Sequence, residues 1–112
     1  MGAGIVKLAT DASFQRHALE AEGLVLVSFG ASWCGPCKLM APALRYLAAR
    51  RKDRLTVVKL DVDSNPATPK NYGVENFPVC ILFRDGEEVL RLDGYMPLKK
   101  VETALAPYLD PA

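Results

Sequence analysis

The sequence predicts an α/β domain whose sheet has a parallel portion closed by an antiparallel hairpin. Three observations carry this. Residues 24–29 (LVLVSF) and 55–60 (LTVVKL) are nearly continuous apolar runs, the pattern of strands buried on both faces of a sheet. Segments with helical spacing alternate with these runs, and parallel strands need such crossovers. Later, residues 79–83 and 87–92 flank Asp85-Gly86, a dipeptide suited to the tight turn of a hairpin.

The elements follow in order. Residues 5–8 read as a short first strand. Thr10 or Asp11 then caps a helix in which Phe14, Ala18 and Ala21 recur at helical spacing, and Gly23 ends it. After the strand at 24–29 comes a helix from Cys34 to about Arg50, with an apolar stripe of Cys37, Met40, Ala41, Leu44, Leu47 and Ala48. Pro42 lies inside it, removes one backbone donor and predicts a kink. The strand at 55–60 is followed by Ser64-Asn65-Pro66, which starts a short helix with Pro66 near its first turn, and Tyr72-Gly73 closes it. Beyond the hairpin, Pro97 opens a last helix whose apolar face is Leu98, Val101, Ala104, Leu105 and Tyr108. Pro107 is expected to weaken its final turn. The order is β-α-β-α-β-α-β-β-α, without repeats or linkers, in a single domain over residues 1–112.

Composition narrows the function. A chain of 112 residues buries one core and is too short for two. A net charge of +1 gives no support to binding of nucleic acid or a membrane surface. The basic group Arg50, Arg51, Lys52 and Arg54 ends a predicted helix, where it complements the helix dipole in solvent. The N-terminal residues lack a long apolar stretch and a cleavage site, so no signal peptide is expected. Val6 stands where a myristoylation pattern needs Ser or Thr. Three cysteines, an odd number, argue against a disulfide framework and for a reducing, cytoplasmic setting.

The chemistry lies in Trp33-Cys34-Gly35-Pro36-Cys37. Two cysteines three apart at a helix start lie one turn from each other. A disulfide there closes a small ring without moving the backbone, which suits a redox pair better than a structural staple. The attacking species in disulfide exchange is a thiolate. Cys34 stands at a helix N-terminus, where unpaired N–H groups and the dipole favour negative charge and lower its pKa. Cys37, one turn in and on the apolar stripe, is expected to be the more buried of the two and to act second, as the resolving thiol. Gly35 lets a substrate backbone approach, and Pro36 fixes a helix-compatible φ. The bland alternative makes both cysteines small buried hydrophobes. It suits Cys37 alone but not the pair with Trp33, Gly35 and Pro36. A zinc site needs two further ligands, for which only Cys80 and His17 are candidates, so no metal is expected.

WCGPCK (33–38) followed by Pro42, VVKLDVD (57–63), YGVENFPV (72–79), RDGEEV (84–89) and the DG at 93–94 closely resemble the thioredoxin family, in order and across essentially the whole chain. The resemblance implies a thioredoxin fold, a central five-stranded mixed sheet flanked by four helices. It makes Pro78 a cis-proline beside the cysteine pair, and it makes Trp33, Gly35, Pro36, Phe77, Pro78 and Gly94 an apolar substrate groove. An extended substrate segment would add there as a strand and present its disulfide to Cys34. The implied activity is protein-disulfide reduction. Cys34 attacks, Cys37 resolves, and the Cys34–Cys37 disulfide is the redox-active group, with no bound cofactor. The implied partners are disulfide-containing proteins and thioredoxin reductase, a flavoprotein using NADPH, as electron donor. The chain itself is expected to be a monomer.

Four positions depart from the family. Ser28 stands where the family carries a buried aspartate that moves the proton of the second cysteine, and a serine hydroxyl is no base near neutral pH. Lys59 matches the lysine that faces that aspartate; without the carboxylate its stem packs and its head is solvated. Gly30 replaces a large aromatic residue, with loss of packing under the site. Val79 replaces a threonine, and Asp93 places a charge beside the groove. Cys80, in the apolar run 79–83, reads as a core cysteine, with a regulatory thiol as the alternative. These departures leave two rivals to a general reductase. One is a binding module that keeps the groove without efficient turnover, and the other is a reductase dedicated to one partner.

Overall fold

In the computed structural model, which describes residues 2–111, the elements are β1 (Lys7–Ala9), a π-helical turn (Gln15–Leu19), β2 (Leu24–Gly30), α1 (Gly35–Arg50), β3 (Leu55–Asp61), α2 (Ala67–Asn71), β4 (Val79–Arg84), β5 (Glu87–Asp93) and α3 (Leu98–Leu109). The five strands form one sheet in the order β1-β3-β2-β4-β5. β1 and β2 run parallel to β3, while β4 is antiparallel to both β2 and β5. The predicted α/β architecture, with five mixed strands and four helical segments, is the one found.

β2 and the first residues of β3 are buried throughout, as their unbroken apolar runs require. Side chains alternate across the sheet and fill two layers. On one side Phe14, Phe29, Phe83 and Tyr72 interlock, with centroids 5.4–6.4 Å apart, Phe83 meeting Phe14 and Tyr72 edge to face and Phe14 tilted against Phe29 and Tyr72. On the other, Leu26, Leu82 and Cys80 meet Met40, Leu44 and Leu47 of α1 and Val101 and Leu105 of α3. Asp85 (φ 49°) and Gly86 (φ 87°) both take left-handed backbone, which the two-residue hairpin turn needs.

The first helical segment differs from the sequence prediction. Only Gln15–Leu19 is helical, with the wide π spacing shown by the Glu20 N–H donating to the Gln15 carbonyl. Thr10 does cap the turn that precedes it, since its Oγ1 accepts from the Ser13 N–H at 3.1 Å while its own N–H donates to Ser13 Oγ. Asp11 does not. Its carboxylate reaches across the fold and accepts from the N–H groups of Ala67 and Thr68 and from the Thr68 hydroxyl. These are orphan donors of α2, whose N-cap residue, Pro66, has no side-chain acceptor. Asn65 Oδ1 in turn accepts from the Asp11 N–H.

Neither internal proline ends its helix. α1 runs through Pro42 to Arg50, and α3 through Pro107 to Leu109. The end of α3 is secured from outside. Arg51 holds Asp110 through both terminal guanidinium nitrogens, at 2.8 and 3.2 Å, and the Tyr108 hydroxyl donates to the Val89 carbonyl. Arg51 is therefore a tether between helix ends rather than a free cation at the end of α1.

Candidate functional site

β2 stops at Gly30, the chain turns through residues 31–33, and α1 begins. Cys34 is the N-cap of α1. Its N–H donates to the Ala31 carbonyl at 3.1 Å, and its Sγ accepts from the Cys37 N–H at 3.2 Å. The sulfur thus occupies the place a Ser or Asp oxygen takes at an ordinary helix start, within the positive end of a sixteen-residue helix. Pro36 lies in the first turn, where a missing N–H costs nothing. Cys34 and Cys37 form a disulfide with Cα atoms 5.2 Å apart.

The relative burial of the two cysteines is the reverse of the expectation. Cys34 is the buried one, at 4 % exposure, and backs onto the cluster that holds Phe29, Ala31 and Val74. Cys37 is only partly buried. Its sulfur lies directly against Gly30, where a Cβ would stand 3.0 Å away. Gly30 is therefore the space that Cys37 occupies, not simply missing bulk beneath the site. What sets the Cys34 sulfur apart from that of Cys37 is its helix-cap position and not exposure.

Three segments of chain meet around the pair. Trp33 is 65 % exposed, stands edge-on to Phe77 at 6.2 Å, and its Nε1–H donates to Asp63 Oδ2 at 2.8 Å. The Phe77–Pro78 peptide is cis. The Pro78 carbonyl accepts from the N–H of Gly94 at 2.8 Å, and Gly94 takes a φ of +81°. Gly35 has no neighbouring atom within reach of an added Cβ, so the surface at this position, between the two cysteines in sequence, is open. Asp93 is exposed and pairs with Val79 across β4 and β5. The sequence reading missed Asp63, which lies thirty residues from Trp33; only the parallel pairing of β2 with β3 brings them together.

One row of residues crosses the sheet on the α1 side. It runs Leu8, Lys59, Ser28, Cys80 and Leu92, on β1, β3, β2, β4 and β5 in turn. Ser28 is buried and lies opposite Cys80 in the neighbouring strand. Burial pushes the Cys80 thiol up to about 11, the neighbouring Ser28 hydroxyl opposing only in part. Lys59 is exposed. His17 is half-buried on the π-helical turn. Among the described residues no three His, Cys, Asp or Glu side chains converge as metal ligands, and no helix is long and apolar enough to cross a membrane.

The thioredoxin family model matches residues 5–107. The chain belongs to the thioredoxin family. A thioredoxin from Alicyclobacillus acidocaldarius is 46 % identical over 100 residues, covering 89 % of this chain and 94 % of that one. The bifunctional thioredoxin reductase/thioredoxin of Mycobacterium leprae is 46 % identical over 92 residues, 82 % of this chain and 20 % of that one. The structure of a thioredoxin from Halobacterium salinarum NRC-1, a single-site mutant, superposes with a TM-score of 0.90 at 28 % identity, covering 100 % of this chain and 97 % of the other. Membership makes this chain a thiol–disulfide oxidoreductase of the thioredoxin type, and the Cys34–Cys37 disulfide is its redox group.

Proposed function

We propose that the chain reduces disulfides of other proteins, with Cys34 as nucleophile and Cys37 as resolving thiol. The Cys34 thiolate attacks one sulfur of the substrate disulfide. That bond breaks, the mixed disulfide forms, and the first substrate sulfur leaves as a thiolate and takes up a proton. Cys37 then loses its proton and attacks Cys34 Sγ. The second substrate sulfur leaves as a thiol, and Cys34–Cys37 is oxidised. Two electrons and two protons pass to the substrate in each cycle. The observation that carries the assignment is the sulfur of Cys34 at the N-cap, accepting the Cys37 N–H. That site favours a thiolate as attacker and as leaving group.

Trp33, Gly35, Pro36, Phe77, Pro78 and Gly94 serve as the substrate surface. Ser28 and Lys59 act as tuning positions. With serine at 28 there is no carboxylate beside the resolving thiol, and its proton goes to the departing substrate sulfur or to water. A reductase of the class fused in the Mycobacterium leprae relative restores the dithiol. The chain works as a monomer in the cytoplasm, without a bound cofactor, metal, nucleic acid or membrane; the buried free thiol of Cys80 suits such a reducing setting.

Two variants test the assignment. With a disulfide substrate such as insulin, Cys37→Ser accumulates a mixed disulfide on non-reducing gels, and Cys34→Ser forms none and has no turnover. Adducts accumulating on Cys34→Ser instead would reverse the roles. Insulin reduction at background rate by the unmodified chain would leave a binding module in place of an enzyme.

A further inference from the structure

β1 is the outermost strand of the sheet and pairs only with β3. Leu8, at its middle, is 76 % exposed, and Ile5, two residues before the strand begins, is 67 % exposed. An uncovered apolar edge is a surface that soluble proteins normally blunt. Between this edge and α1 run two depressions of about 160 and 330 Å³. Both are lined by Val6 and Arg45, so they form one groove. Leu8, Ala41 and Leu44 supply apolar wall, and Lys59 joins Arg45 as the second cation. No carboxylate lines either depression. Among the described residues neither Arg45 nor Lys59 forms a salt bridge. Lys59 is free because its neighbour across β2 and β3 is Ser28, which offers it no charge.

We propose that this groove docks an extended segment of a partner protein, added as a further strand on β1, whose groove-facing alternate residues are a mixture of apolar and acidic side chains. The free edge of β1 supplies backbone hydrogen bonds, the apolar side chains cover Ile5 and Leu8, and the carboxylates meet Arg45 and Lys59. Charge selects this occupant over a second copy of the chain. Self-pairing of two β1 edges would set Lys7, Arg45 and Lys59 near their own counterparts with no acidic side chain in the groove to offset them.

The test uses the isotope-labelled full chain and an end-blocked octapeptide, Thr-Val-Thr-Glu-Thr-Val-Thr-Glu, whose valines and glutamates share one face, followed by amide chemical shifts. Millimolar peptide is expected to shift amides at residues 5–9, 41–45 and 59. The affinity is expected to fall severalfold between about 50 and about 500 mM salt, because exposed charges are screened. Arg45→Glu and, separately, Leu8→Glu are expected to weaken binding at least tenfold, each checked for an unchanged fold by its amide spectrum. Both positions are exposed, so at least one variant remains folded. The proposal is overturned by an absence of shifts, by shifts centred on Trp33 and Phe77, or by equal binding of the lysine-for-glutamate peptide. Undiminished binding by a folded Arg45→Glu or Leu8→Glu variant overturns it as well. Concentration-dependent shifts at residues 5–9 without peptide would assign the edge to self-association instead.

Discussion

Gly30 and Cys37 are in direct contact: a methyl group on Gly30 would lie 3.0 Å from the Cys37 sulfur and 3.3 Å from its Cβ. In the oxidised protein that sulfur is held both by α1 and by its bond to Cys34. It has little room to yield. Gly30→Ala is therefore expected to destabilise the oxidised form by about 1–3 kcal/mol, the usual cost of overpacking a fixed site. The reduced form, in which the Cys37 side chain can rotate, loses less. Denaturant unfolding of both redox forms checks this. An equal loss in the two would show that the contact does not depend on the disulfide.

The Asp11 carboxyl is held below the usual carboxylate range, first by the Thr68 hydroxyl and further by the N–H groups of Thr68 and Ala67. Its folded-state pKa thus lies below its unfolded one. The stabilisation is present above the unfolded value, about 3.9, and is lost as pH falls through the folded value. Asp11→Asn is expected to lower the unfolding midpoint at neutral pH and to remove part of the acid sensitivity. Asp110, lowered by Arg51, adds a loss of the same sign in both proteins, so the difference between them isolates Asp11. A constant difference from neutral pH down to about pH 2 would contradict the assignment.

In the reduced protein, iodoacetamide is expected to label Cys34 first and Cys80 last. Cys34 has the helix-start position that favours thiolate. Cys80 is 1 % exposed, with its thiol pushed up to about 11. Mass spectrometry after limited alkylation reads the order, and early labelling of Cys80 would transfer the nucleophile's role away from the pair.

Ser28 is buried between Lys59 and Cys80 in adjacent strands. Ser28→Asp is expected to cost about 1–4 kcal/mol near pH 8, less if Lys59 turns in to pair with the new carboxylate. Desolvation raises that group's folded pKa above its unfolded value of about 3.9. The loss therefore grows as pH rises past the unfolded value and levels off above the folded one. The same carboxylate is expected to shorten the lifetime of the mixed disulfide by taking the Cys37 proton. Stability differences that match at about pH 4 and about pH 8 would place the side chain in solvent.

What the sequence made legible was local. Buried strands declare themselves through unbroken apolar runs, and the hairpin through Asp85-Gly86, because each depends on residues adjacent in the chain. The WCGPC segment was equally plain. Contacts closed by the sheet were not legible. Asp11 reads as a cap for the segment that follows it, since nothing nearby reveals α2's unsatisfied donors fifty-six residues on. Gly30 reads as lost bulk until α1 is laid over β2 and the Cys37 sulfur takes the space. Cys37 was assigned the deeper place from its position on the apolar stripe. Accessibility is decided instead by how the turn at 31–33 folds Cys34 back onto Ala31 and the core behind it.

The cap supplied by Asp11 also bears on how related sequences change. Pro66 at the head of α2 has no oxygen in its side chain, so the Ala67 and Thr68 amides depend on a residue more than fifty positions away in sequence. Positions 11 and 66 should therefore drift as a pair across lineages. A descendant with serine or aspartate at 66 is free to lose the acid at 11, and one that keeps proline at 66 is not.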